Sequence, residues 1–93
     1  MLFYLNKSKK FIFYHLLLIF LFSFIYYFIY IFDNKSFFHD KRENINYLDF
    51  IYFSLVTQTT VGYGDITATS DLAVFINIIQ LLIIYGIIGF SFV

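Results

Sequence analysis

Two long apolar stretches frame this chain, and its polar positions fall mainly before the first and between the two. Residues 11–32 (FIFYHLLLIFLFSFIYYFIYIF) and 72–93 (LAVFINIIQLLIIYGIIGFSFV) each run 22 residues without a formal charge. A helix of that length is about 33 Å long, which matches a bilayer hydrocarbon core of roughly 30 Å. Both are therefore expected to be transmembrane helices. A cleaved signal peptide fits the first stretch poorly, because the apolar run is too long and no small-x-small site follows Phe32.

The connecting residues change character midway. Residues 33–46 carry the charged and amide side chains of an exposed turret, whereas YLDFIYFSLV, residues 47–56, is mostly apolar. That second run is too short to cross a bilayer and too greasy for a loop in water, so a re-entrant helix over residues 47–59 is predicted. Asn46 can cap it, with Asp49 as the capping-box partner three residues on. Backbone that enters a membrane and then leaves helical geometry must be buried in protein or line a watery path. The hydrophobic pattern alone thus points to an all-α membrane protein of one domain, with two spans around a re-entrant segment.

Composition sharpens this picture. Hydrophobic residues make up 61% of the 93 positions and charged residues 13%, against roughly 45–50% and 25% in a soluble domain. A chain this short could not hide that much apolar surface from water. The formal net charge is zero, with no basic stripe for nucleic acid, and the absence of Cys excludes any disulfide partner. No Walker, Rossmann or zinc-ligand pattern occurs, so neither an enzyme nor a resident cofactor is expected.

Lys7, Lys9 and Lys10 precede the first span without a neighbouring acid, whereas the connecting segment balances Asp33, Asp40 and Glu43 against Lys35, Lys41 and Arg42. The positive-inside rule then places residues 1–10 in the cytoplasm, and two spans return the C-terminus to that side. His15, one turn inside the first span, is read as a ring tip snorkelling to the interface in preference to a pH sensor.

The chemistry sits in TQTTVGYGD, residues 57–65. A row of consecutive carbonyls facing one axis needs alternating right- and left-handed dihedrals, and glycine takes positive φ without steric cost. Gly62 and Gly64, either side of Tyr63, supply that alternation. Carbonyls of Thr60, Val61, Gly62 and Tyr63 could then stand in file, and four copies about an axis could replace the hydration shell of a potassium ion. The re-entrant helix would aim the negative end of its dipole at the cavity below them.

These nine residues resemble the complete selectivity-filter signature of potassium channels. The order of span, short helix, filter and span resembles the pore module of that superfamily, most closely the miniature channels of large algal viruses. The resemblance implies a homotetramer in a host-cell or virion membrane that conducts K+ passively. It makes Thr60, Val61, Gly62 and Tyr63 the ion sites, Gly64 the completing outer turn and Asp65 part of a carboxylate ring at the outer mouth. Thr57 would hydrogen-bond the Tyr63 ring, and Tyr52 and Phe53 occupy the places of paired aromatics that brace the filter. Two departures stand out: Phe53 has no donor, and Val56 stands where some relatives carry a carboxylate partner for the filter aspartate.

Other features are less specific. Asn77 and Gln80 share one face of the second span, where they could line a cavity or hydrogen-bond neighbouring helices. Gly86 and Gly89 could form a hinge, and Tyr85, Ile88 and Phe92 an inner constriction. No helix carries the arginine ladder of a voltage sensor.

Overall fold

A computed structural model describes residues 7–41, 43–59 and 61–91 of the chain. Three helices dominate: α1 (Lys7–Phe32), α2 (Tyr47–Gln58) and α3 (Asp71–Ser91). A single turn of 3-10 helix (Asn34–Ser36) follows α1, capped by the Asp33 carboxylate, which accepts from the Lys35 amide at 3.1 Å. Two short strands, β1 (Phe37–His39) and β2 (Ile66–Ala68), pair antiparallel with Phe37 opposite Ala68 and His39 opposite Ile66.

α1 begins at Lys7, four residues before the apolar run, because lysine is a good helix former. Its 26 residues and the 21 of α3 make rods of about 39 and 32 Å. Only 22% and 17% of their most apolar windows are buried. That decides against core helices of a soluble protein, which would be mostly covered. α2, with 12 residues, is about 18 Å long and cannot span a bilayer.

The strand pair is the departure from an all-helical expectation. Phe37 and Ile66 point inward at 5% and 3% exposure, while Phe38 and Thr67 point out. Three residues of alternation are too few to be read from a sequence, since a strand signal needs four or more. The pairing brings the segment after α1 onto the segment before α3, and the Asp40 amide continues it by donating to the Asp65 carbonyl at 3.0 Å.

The core lies where α1, α2 and β1 meet. Phe37 packs edge-on against Phe50 at 4.9 Å and against Phe53 at 5.7 Å, and Tyr26 edge-on against Phe53 at 5.1 Å. These are the arrangements that ring quadrupoles prefer. Ala73, fully buried near the start of α3, and Ile45 complete the cluster. The aromatic wealth of the chain thus serves as packing where α2 leans on α1.

Candidate functional site

The site is built around α2 and the residues that follow it. At the N-terminal end, the Asn46 side chain accepts from the Asp49 amide at 3.0 Å, and the Asp49 carboxylate accepts from the Asn46 amide at 3.0 Å. This reciprocal capping box satisfies two helix-terminal donors locally and puts an acid at the positive end of the helix dipole.

At the C-terminal end the chain leaves helical geometry within two residues. The Thr59 amide and hydroxyl both donate to the Leu55 carbonyl, at 2.9 and 2.8 Å. The amides of Val61 and Gly62 both turn back onto the Val56 carbonyl, at 3.0 and 3.2 Å. In a planar trans peptide the carbonyl opposes the following N–H, so the Val61 carbonyl faces away from α2. Gly62 then takes φ +58° and Gly64 φ +83°, a left-handed conformation that residues with a Cβ adopt only with strain. A Cβ added at either glycine would meet nothing within 4 Å, so the backbone angle alone selects glycine there.

Tyr63 projects between them, 70% exposed in the single chain, with its ring parallel to that of Tyr52 at 6.5 Å and 4°. Asp65 closes the segment, and its carboxylate accepts from the Ile66 amide at 3.1 Å. The Tyr52 phenol is held above its ordinary pKa, first by partial loss of water around it and then by its approach to the Asp65 carboxylate. Thus Asp65 has the Tyr52 phenol beside it. Phe53 faces the aromatic core through Tyr26 and Phe37. The Thr57 hydroxyl donates to the Phe53 carbonyl at 2.9 Å within its own helix. Thr60 and Phe92 lie outside the described residues.

A second polar group, buried between the helices, was hidden in the apolar sequence. Gln80 of α3 is fully buried. Its amide donates to the Ser54 Oγ at 3.1 Å and the Gln58 Oε1 at 3.0 Å, and its Oε1 accepts from the Tyr26 hydroxyl at 2.6 Å. Asn77 donates to the same tyrosine oxygen at 3.1 Å. Ser54 in turn donates to the Ile19 carbonyl at 2.8 Å, which ties α2 to α1. The ring of His15 is turned inward, with Nδ1 at 2.7 Å from the Gln58 side-chain nitrogen, where a snorkelling orientation was expected. Tyr26, Ser54 and Gln58 carried no role in the sequence reading. The available signal was their polarity within apolar surroundings, which in a membrane segment marks the protein-facing side.

Along the rest of α3, Tyr85 is 65% exposed, and Ile88 borders a cavity that also touches His15 and Gln58. Gly86 and Gly89 sit within the helix with open space around their α-carbons. Among the described residues no group of three or more His, Cys, Asp or Glu could hold a metal ion.

Comparison with known proteins agrees with this arrangement. The sequence model of a family described as "Ion channel" matches residues 14–93. Potassium channel K2 of Plasmodium berghei (strain Anka) is 57% identical over 28 residues, which cover 30% of this chain and 2% of that protein. Potassium channel AKT1 of Oryza sativa, in both the indica and japonica subspecies, is 36% identical over 53 residues, or 57% of this chain and 6% of the relative. The chain therefore spans only a small fraction of the length of these curated relatives. No solved structure matches it. With the family model covering residues 14–93 and two helices long and apolar enough to cross a bilayer, the chain belongs to this ion channel family and is a membrane protein.

Proposed function

We propose that the chain is the pore subunit of a potassium-selective channel, four copies of which surround one conduction path. In this reading α2 is a re-entrant pore helix, residues 60–65 form the filter and α3 lines the inner path. The observation that carries it is the backbone around Tyr63. Positive φ at Gly62 and Gly64 follows directly on two amides bound to the last turn of α2. That is the alternation a file of inward carbonyls requires.

The chemistry follows from geometry. Carbonyl oxygens supplied by Thr60, Val61, Gly62 and Tyr63 from four chains replace water around K+, so entry costs little dehydration energy. The C-terminal ends of four α2 helices lend partial negative charge to the cavity below, and four Asp65 carboxylates concentrate cations above it. Outward-facing Tyr63 is free in the single chain to pack against a neighbour, which suits a part that needs assembly to be complete. Both termini lie in the cytoplasm in this reading, and the chain is kin to the miniature viral channels. The two potassium channels that match parts of the sequence support the choice of ion.

Reconstitution of the purified protein in a planar bilayer tests the proposal. The expected result is a single-channel current with a sodium-to-potassium permeability ratio well below one. Absence of current removes the channel reading, and a ratio near one removes selectivity.

A further inference from the structure

The hydrogen bonds between the helices form one directed chain. Asn77 Nδ2 donates to the Tyr26 hydroxyl, which donates to Gln80 Oε1. Gln80 Nε2 donates to Gln58 Oε1, and Gln58 Nε2 lies 2.7 Å from Nδ1 of His15. Ser54 sets the direction. Its Oγ donates to the Ile19 carbonyl and so must accept from Gln80, and its own carbonyl, 3.4 Å from Gln80 Nε2, also needs a donor there. Gln80 therefore presents its NH2 to α2, Gln58 answers with its oxygen, and the Gln58 NH2 is left for the imidazole. Nδ1 of His15 must be an acceptor, which puts the ring proton on Nε2.

That Nε2 is, among the described residues, the buried side-chain polar atom with no hydrogen-bond partner. A buried donor left unpaired is costly and uncommon enough to call for a reason. The other tautomer would not relieve it, because an Nδ1–H would meet the Gln58 NH2 donor to donor at 2.7 Å. The imidazolium has the same conflict. A proton added at Nδ1 can be accommodated only if the Gln58 amide turns over, and its NH2 then faces that of Gln80.

We infer that His15 is a proton-binding switch: its protonation breaks the directed chain from Gln58 to Gln80 and so unfastens the C-terminal end of α2 from α3. His15 lies five residues, or ~7.5 Å of helix rise, beyond Lys10, near the end of α1 assigned to the cytoplasm. A cavity of about 400 Å³ adjoins it, lined by Phe11, His15, Leu16, Gln58, Thr59 and Ile88 among others. Among the described residues, no other ionisable side chain lines that cavity, from α1, α2 or α3. The nearest charges in sequence are Lys9 and Lys10 on α1 itself. Histidine is the side chain whose charge ordinarily changes between pH 5 and 8. The link from proton to current rests on the channel reading, since Gln58 stands just before the proposed filter; the link from proton to hydrogen bonds does not.

The full chain in lipid vesicles, labelled with 15N at histidine and glutamine side chains, tests both links. His39→Asn in the background leaves His15 as the sole imidazole. The expected spectrum has the Nε2–H tautomer at pH 8, with the Gln58 and Gln80 amide signals moving together with the imidazole as pH falls to 5. An Nδ1–H tautomer at pH 8, an imidazole silent throughout, or amides indifferent to its titration each overturns the switch, whether or not the protein conducts. In bilayers with external pH fixed, lowering internal pH from 8 to 5 should reduce open probability about fivefold or more, the lower range of ordinary coupling between sites. His15→Asn keeps an acceptor in place of Nδ1 and removes the titration, so it should conduct without this dependence. If it retains the full drop, His15 is not the switch.

Discussion

The two ends of α2 solve the same problem by opposite means. At the N-terminal end, Asn46 and Asp49 satisfy one another across three residues of chain. At the C-terminal end, Ser54, Gln58 and the Val56 carbonyl are satisfied by Ile19, His15, Gln80 and the residues that follow the helix. The side-chain partners there are 35, 43 and 22 residues away in sequence. One end is a local device closed within a single turn, and the other exists only once three helices have met. The end that faces the proposed filter is the end whose geometry depends on the whole fold.

Substitutions that strike each end separately can break this contrast. The largest effect is expected just past the C-terminal end, at Gly62→Ala. An alanine held at φ +58° costs about 1–2 kcal/mol in each chain. We expect loss of potassium current in the bilayer assay while membrane insertion, followed by vesicle fractionation, is retained. Wild-type current in that variant would show that the positive φ is dispensable.

Next is Gln80→Leu, which leaves the Tyr26 hydroxyl, the Gln58 oxygen and Ser54 without their common partner. A destabilisation of about 1–3 kcal/mol is expected, read as a lowered thermal midpoint in detergent. Asn46→Ala at the opposite end should cost about 1 kcal/mol, and Asn46→Asp should restore most of it. If the alanine at position 46 costs more than the leucine at position 80, the contrast between local and assembled ends is wrong.

The smallest effect is expected at Tyr52→Phe, which keeps the ring beside Tyr63 and removes only the hydroxyl near Asp65. The Tyr52 pKa is raised, so the phenol stays neutral where free tyrosine, near pH 10, begins to ionise. Wild type and Tyr52→Phe should therefore respond alike when external pH rises from 7 to 9. A difference between them would place an ionised phenolate at the mouth.

What could be read from the sequence follows the same division. The two spans, the short helix between them, its capping box and the need for glycine at positions 62 and 64 are all local or periodic, and all were legible. The partners of Gln58 and Gln80 were not, because nothing in the spacing of residues 15, 26, 54, 58 and 80 says that they meet. The inward turn of His15 could have been suspected, since it shares with Ile19, Phe22 and Tyr26 one face of α1 at helical spacing. In a helix that is greasy on every side, apolar residues do not mark that face, and only the scattered polar ones do. The β1–β2 pairing left no signal, since three-residue strands are shorter than the pattern that would reveal them.

That strand pair also determines where the chain can change length. Residues 61–65 hang between two fixed pegs, the Val56 carbonyl on one side and the pairing of Asp65 and Ile66 with residues 39 and 40 on the other. An extra residue between the pegs has no slack to enter, and in the proposed filter every carbonyl beyond it would turn out of file. Lys41, Glu43 and Asn44 lie outside them, and lengthening a loop costs only about 0.6 kcal/mol per doubling. The proposed turret can therefore grow, shrink or accept a graft, while the five residues between the pegs keep their count.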